Sequence, residues 1–149
     1  MEMTKLEIIN ETVEFYSQDT KRRAVTKSTA GNTCEYLNKD GCKCAVGRCF
    51  DENHILHSFV SSFSGNVHAL AREIIKKIKG IDLEHIMLDS SIPCLELDDI
   101  FFEKYRGHNL MFWGNLQTLH DESDYWDKNT LSQRGEKYLE HLKQKYATS

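Results

Sequence analysis

The sequence predicts an α+β fold: a mostly helical single domain over residues 1–149, with five or six helices packed around one small antiparallel β-hairpin at about residues 33–49. Two observations carry this. Asp40-Gly41 stands between two strand-like runs, which is a strong short-range hairpin signal. Elsewhere apolar residues recur at helical spacing behind capping residues.

The hairpin register follows from which pairing puts apolar side chains on one face. A three-residue loop, Lys39-Asp40-Gly41, sets Asn38 opposite Cys42, Tyr36 opposite Cys44 and Cys34 opposite Val46. One face then carries Cys34, Tyr36, Cys42, Cys44 and Val46. The other carries Glu35 and Lys43 with Leu37 and Ala45. A slip of one residue would mix the two sets. Gly41 suits the left-handed position of such a loop. An isolated two-stranded hairpin is marginal in water, so its apolar face is expected to lie on helices.

The remaining elements follow in order. Thr4-Lys5-Leu6-Glu7 reads as a capping box opening a helix over about residues 5–17, with Leu6, Ile9, Val13 and Tyr16 inward. A basic connection from Asp19 to Asn32 follows, by composition a solvated loop with an added short strand as its variant. Asp51 is placed to cap a helix running to about Phe63. Asn66 is placed to cap another, which Gly80 ends. The 81–97 stretch reads as extended around Pro93, with Leu95 and Leu97 in a short strand or leg. Asp98 or Asp99 then caps a short helix through about Tyr105. Arg106-Gly107-His108 is a turn, and Asn109 caps a helix carrying Phe112, Trp113, Leu116, Leu119 and His120. After a polar link from Asp121 to Asn129, Thr130-Leu131-Ser132-Gln133 resembles a second capping box before the last helix.

Charge and composition narrow the function. Of 149 residues, 40% are hydrophobic and 28% charged, which is a globular rather than a disordered balance. The net charge of −4 argues against a dedicated nucleic-acid binder. With no apolar signal core and no window approaching a membrane span, a cytoplasmic protein without a membrane partner is expected, its five cysteines held as thiols.

Four constellations could carry chemistry or contact. Cys42, Cys44, Cys49, His54 and His57 offer soft and imidazole ligands for zinc, but no second knuckle completes a tetrahedral set. Small buried thiols packing the hairpin explain the same residues. His120, Asp121 and Glu122 form the densest titratable cluster, which suits a small metal-dependent hydrolase or nuclease. Neighbouring side chains on a helix diverge, however, and helix-end chemistry accounts for the pair as well. Lys21, Arg22, Arg23 and Lys27 beside small hydroxyl residues suit an anionic ligand. Tyr125 and Trp126 in the polar link read either as a lid on the core or as a contact anchor. No cofactor-binding motif stands in the chain, so no cofactor is expected.

Cys34, Tyr36, Asp40, Gly41, Lys43, Cys44, Ala45, Val46 and Gly47 form a C-x-Y then D-G-x-K-C-A-V-G pattern. Leu116, Gln117, His120, Asp121 and Trp126 form a downstream L-Q-x-x-H-D block with its tryptophan. Together these resemble a family of small uncharacterised proteins of tailed phages and prophages, over about two thirds of the chain. That family has a cysteine directly after the glycine and then a Pro-Asp-Glu run. Here Arg48, Cys49, Phe50, Asp51 and Glu52 stand instead. The resemblance implies a phage-encoded intracellular protein and supplies no activity. The expected function is an accessory protein that binds a host protein or a small ligand, phosphate-bearing ligands included, in counter-defence or host takeover.

Overall fold

A computed structural model describes residues 2–18, the main chain of 25–28 and 31–34, and residues 36, 42–81, 88–128 and 130–147. Among these, six α-helices carry the packing: α1 (Lys5–Gln18), α2 (His57–Ser61), α3 (Val67–Lys79), α4 (Leu95–Asp98), α5 (Leu110–Asp121) and α6 (Gln133–Lys145). Three 3-10 turns, Gly47–Cys49, Glu103–Tyr105 and Ser123–Tyr125, join them.

The fold is therefore helical, and the α+β class expected from the sequence is corrected. Among the described residues no hairpin spans 33–49. Strand pairing lies upstream of that position, where β1 (Val25–Ser28) meets β2 (Gly31–Cys34) with Cys34 opposite Val25 rather than Val46. Lys39-Asp40-Gly41 lies outside the described residues. The second leg, Cys42 to Phe50, starts in the expected register with one bond, Cys44 N–H to Tyr36 O at 3.3 Å. It then leaves it: Val46 takes helical angles (φ −79°, ψ −43°) and Gly47–Cys49 winds into a 3-10 turn.

Two local forces favour the turn over the strand. The Cys44 sulfur accepts the Gly47 N–H at 3.2 Å, satisfying a donor that a strand partner would otherwise take. Gly47 lies flat against Tyr36, where any Cβ would run into the Tyr36 carbonyl. The apolar residues are still inside: Tyr36, Cys44, Ala45 and Val46 are all buried. A turn buries Ala45 beside Val46, which an alternating strand could not do.

The helix starts were legible locally. At α1, Thr4 N–H donates to Glu7 and Glu7 N–H donates back to Thr4 Oγ1 (3.0 and 3.1 Å), a reciprocal capping box. Asn66 and Asn109 cap α3 and α5 by accepting the N–H groups of Ala69 and Phe112, each at 2.8 Å. Gly80 ends α3 in the left-handed conformation at φ 67°.

Three element boundaries differ from expectation. Asp51 holds a tight turn (Asn53 N–H to Oδ1, 2.9 Å), so α2 begins only at His57. Leu95 and Leu97 are helical in α4 rather than extended, and Asp98 reaches forward to accept Gly107 N–H at 3.0 Å instead of capping a helix. At α6 the cap is Ser132, not Thr130: its hydroxyl accepts Gly135 N–H at 3.1 Å.

Helix α5 is the central element. Leu110, Phe112, Trp113, Leu116, Gln117, Leu119 and His120 are buried along it, and it packs against α3 and α6. A helix apolar on nearly every side belongs inside a fold. The segments 49–51 and 100–102 pair across Phe50 and Phe101, whose rings stack at 5.7 Å. No helix among the described residues is long and apolar enough to cross a membrane.

Candidate functional site

Two polar clusters form against α1, and both use residues far apart in sequence. The first is closed. Tyr16, Tyr36, Gln117 and His120 are buried, with Trp126 only 8% exposed. The Tyr16 hydroxyl donates to the Lys43 carbonyl. Its ring lies edge-on to His120 at 5.0 Å and to Trp126 at 6.1 Å. Trp126 donates its indole N–H to Leu119 O at 2.8 Å, which turns the 121–126 link back over the end of α5. His120 Nδ1 meets Asp121 Oδ1 at 2.6 Å. Tyr36 and Gln117 share hydrogen bonds with each other and with Gly65 O at 3.2–3.5 Å. Tyr36 and the Lys43 carbonyl of the first sequence block are thus joined, directly or through Tyr16, to Gln117, His120 and Trp126 of the second.

The second cluster is half open. Glu11 and Thr12 on α1 face Arg48 and Tyr105. Arg48 donates to Glu11 Oε1 at 2.7 Å, to Thr12 Oγ1 at 3.1 Å and to the Tyr105 oxygen at 3.3 Å. The Tyr105 hydroxyl donates to the same Glu11 oxygen at 2.5 Å. The guanidinium sits over the rings of Phe15 (5.5 Å) and Tyr105 (5.7 Å), a cation–π sandwich. Its side chain is 11% exposed, against 32% for Glu11.

Electrostatics bind this cluster together. Burial pushes the Glu11 carboxyl up, but bonds from Tyr105 and Arg48 outweigh it and hold Glu11 below the usual carboxylate range. Burial, reinforced by the Glu11 carboxylate, raises the Tyr105 hydroxyl. Burial opposes the Arg48 charge, yet the Glu11 carboxylate, by hydrogen bond and by charge, holds the proton on. Burial pushes the Cys49 thiol up to about 12, which leaves it an inert packing group.

The sequence-predicted site residues fall in different places. Lys21, Arg22 and Arg23 lie outside the described residues, and Lys27 stands in β1 opposite Asn32. Tyr125 is half-buried and stacked on Tyr138 at 4.9 Å, while Trp126 is taken up by the closed cluster. Asp121, half-buried, joins His120 through their 2.6 Å hydrogen bond, against the expected divergence of neighbouring helix side chains, while Glu122 is exposed at the helix end.

The zinc set does not assemble either. Cys42 is half-buried. Cys44 caps a turn, and Cys49 donates to Ala45 O at 3.5 Å. His54 accepts Leu56 N–H on Nδ1 and faces Asp99 Oδ2 from Nε2 at 3.1 Å, and His57 faces Ser61. Among the described residues no three His, Cys, Asp or Glu side chains converge on a point that could hold a metal ion.

Glu11, Thr12 and Tyr105 gave no sequence signal, because their spacing to Arg48 repeats no local pattern. No family model, no curated protein and no solved structure matches the chain.

Proposed function

We propose that the protein acts by binding: a phage-encoded accessory protein that engages a host protein or a small ligand, phosphate-bearing ligands included, in counter-defence or host takeover. The observation that supports this over the hydrolase alternative is the position of His120. Its ring is fully buried, edge-on to Tyr16. A general base must reach the proton that it abstracts, and a metal ligand must reach its ion. His120 does not reach solvent, and its hydrogen bond to Asp121 ties down the end of α5.

The contact residues in this reading are Lys21, Arg22, Arg23 and Lys27, with Tyr125 at the rim of the 121–126 link. Guanidinium forks suit phosphate and carboxylate groups.

The test compares two variants in a host expressing the protein, scored by growth and by phage plating. Reversing charge at both Arg22 and Arg23 is expected to shift stability by only about 0.5 kcal/mol and to abolish the phenotype. His120→Ala is expected to weaken the phenotype only as far as it lowers the folded population. A folded, inactive His120→Ala protein beside a fully active charge-reversal protein would move the assignment to the metal-dependent hydrolase.

A further inference from the structure

Away from both clusters, one serine and one histidine meet in a geometry that nothing above uses. His68 Nε2 and Ser90 Oγ are 2.7 Å apart. Both residues are half-buried, so the pair is supported by protein and still reachable. His68 lies in the first turn of α3, and Ser90 lies 22 residues later in the segment before α4.

Ser90 is held in place on both sides. Its carbonyl accepts Met111 N–H from the first turn of α5 at 3.1 Å. Next to it, Asp89 Oδ1 accepts both the N–H (2.9 Å) and the hydroxyl (2.6 Å) of Ser91, closing a tight turn. Those bonds hold the Asp89 carboxyl below its ordinary value, the Ser91 hydroxyl foremost. Ser90 therefore bridges the first turns of α3 and α5, through its hydroxyl to His68 and its carbonyl to Met111. The positive ends of helix dipoles favour negative charge developing on an oxygen there.

We propose that Ser90 is an activated hydroxyl with His68 as its base, able to take an acyl group from an activated ester. Ser90 Oγ attacks the ester carbonyl carbon while its proton passes to His68 Nε2. The tetrahedral intermediate collapses, the C–O bond to the leaving group breaks, and the His68 proton goes to the departing oxygen to release the alcohol. Water, deprotonated by the same imidazole, then attacks the acyl-serine and restores the hydroxyl. This activity does not rest on the binding reading and uses none of its residues.

The full chain is incubated with p-nitrophenyl acetate while nitrophenolate release is followed, and acetylated peptides are mapped by mass spectrometry. Ser90 is expected to carry the acetyl group in preference to the adjacent Ser91. His68→Gln, which keeps a hydrogen-bonding side chain but no base, is expected to slow acetylation of Ser90 by at least ~100-fold with circular dichroism unchanged. The mapping on unaltered protein needs no variant to fold. Acetyl groups spread over Ser91 and the lysines without preference for Ser90 would overturn the proposal. So would a His68→Gln protein labelled as fast as the original, which would leave the pair a tether between α3 and the 88–91 segment.

Discussion

Helix α1 meets polar groups on two sides, and the two meetings are built on opposite terms. On one side Glu11 and Thr12 engage Arg48 and Tyr105, through an ion pair in which Glu11 keeps 32% of its side chain in solvent. On the other side Tyr16 meets His120 and Trp126 through ring faces and edges, with its hydroxyl spent on the Lys43 carbonyl. The first gains from charge and is exposed to pH and salt. The second gains from excluded water and shape. A half-open ion pair can be weakened by solution conditions, whereas a closed aromatic cage yields only to a change of volume.

The largest effects should come from the closed side. Trp126→Ala removes a buried ring and the bond to Leu119 O, and is expected to cost about 3–5 kcal/mol in urea denaturation. Gly47→Ala forces a methyl group into the Tyr36 carbonyl and should cost about 3 kcal/mol or more, measured in the same way. A loss below about 1 kcal/mol in either variant would mean that the cage is looser than its geometry.

The half-open side should give less. Glu11→Ala strands the Arg48 charge and is expected to cost about 1–3 kcal/mol, below the ~3–5 kcal/mol of a wholly buried pair, because Glu11 is 32% exposed. Replacing both, Glu11→Leu with Arg48→Met, should recover much of that loss. A double variant no more stable than Glu11→Ala alone would show that the guanidinium contributes through its ring contacts and not its charge.

The smallest effects lie in pH dependence. The Glu11 carboxyl titrates lower in the folded chain than its ordinary 4.5, so its contribution is complete above that value and is lost as pH falls through the depressed one. Glu11→Gln should flatten this acid limb. Asp98 behaves oppositely. Burial raises its carboxyl above the ordinary 3.8, so ionisation works against folding at neutral pH and the strain lifts as pH falls through the raised value. Asp98→Asn should therefore raise the Tm at pH 7 and lose that advantage in acid. Scanning calorimetry of both variants from neutral to acid pH separates the two signs.

Residue by residue, the sequence was readable where the signal was local. Thr4 with Glu7, Asn66 with Ala69 and Asn109 with Phe112 each act across three positions, and each cap formed. The region around Asp40-Gly41 misled because its apolar residues satisfy two geometries. Cysteine and alanine are small enough to alternate on a strand or to fill a turn, and the choice was made by Gly47 lying against Tyr36. The Arg48 cluster was invisible for a different reason: its bonds span 37 residues to Glu11 and 57 to Tyr105, and no periodicity encodes such distances. His120 stood in the inward stripe of its helix with Leu116 and Leu119. Its burial was written there, and Trp126 takes the lid position that the polar link offered, its indole bonding Leu119 O.

The reach of α1 also sets a schedule for synthesis. The hydroxyl of Tyr105 bonds Glu11 across 94 residues, and His108 bonds the Met3 carbonyl across 105. At a translation rate of about 5–20 residues per second, the helix emerges roughly 5–20 s before the segment that will cover it. Ile8, Ile9 and Tyr16 all end fully buried, so through that interval part of the cover of α1 is missing, and a 14-residue helix alone is only marginally stable in water. The contacts of α1 with Tyr105, His108 and His120 therefore form only once the 105–120 segment has followed it.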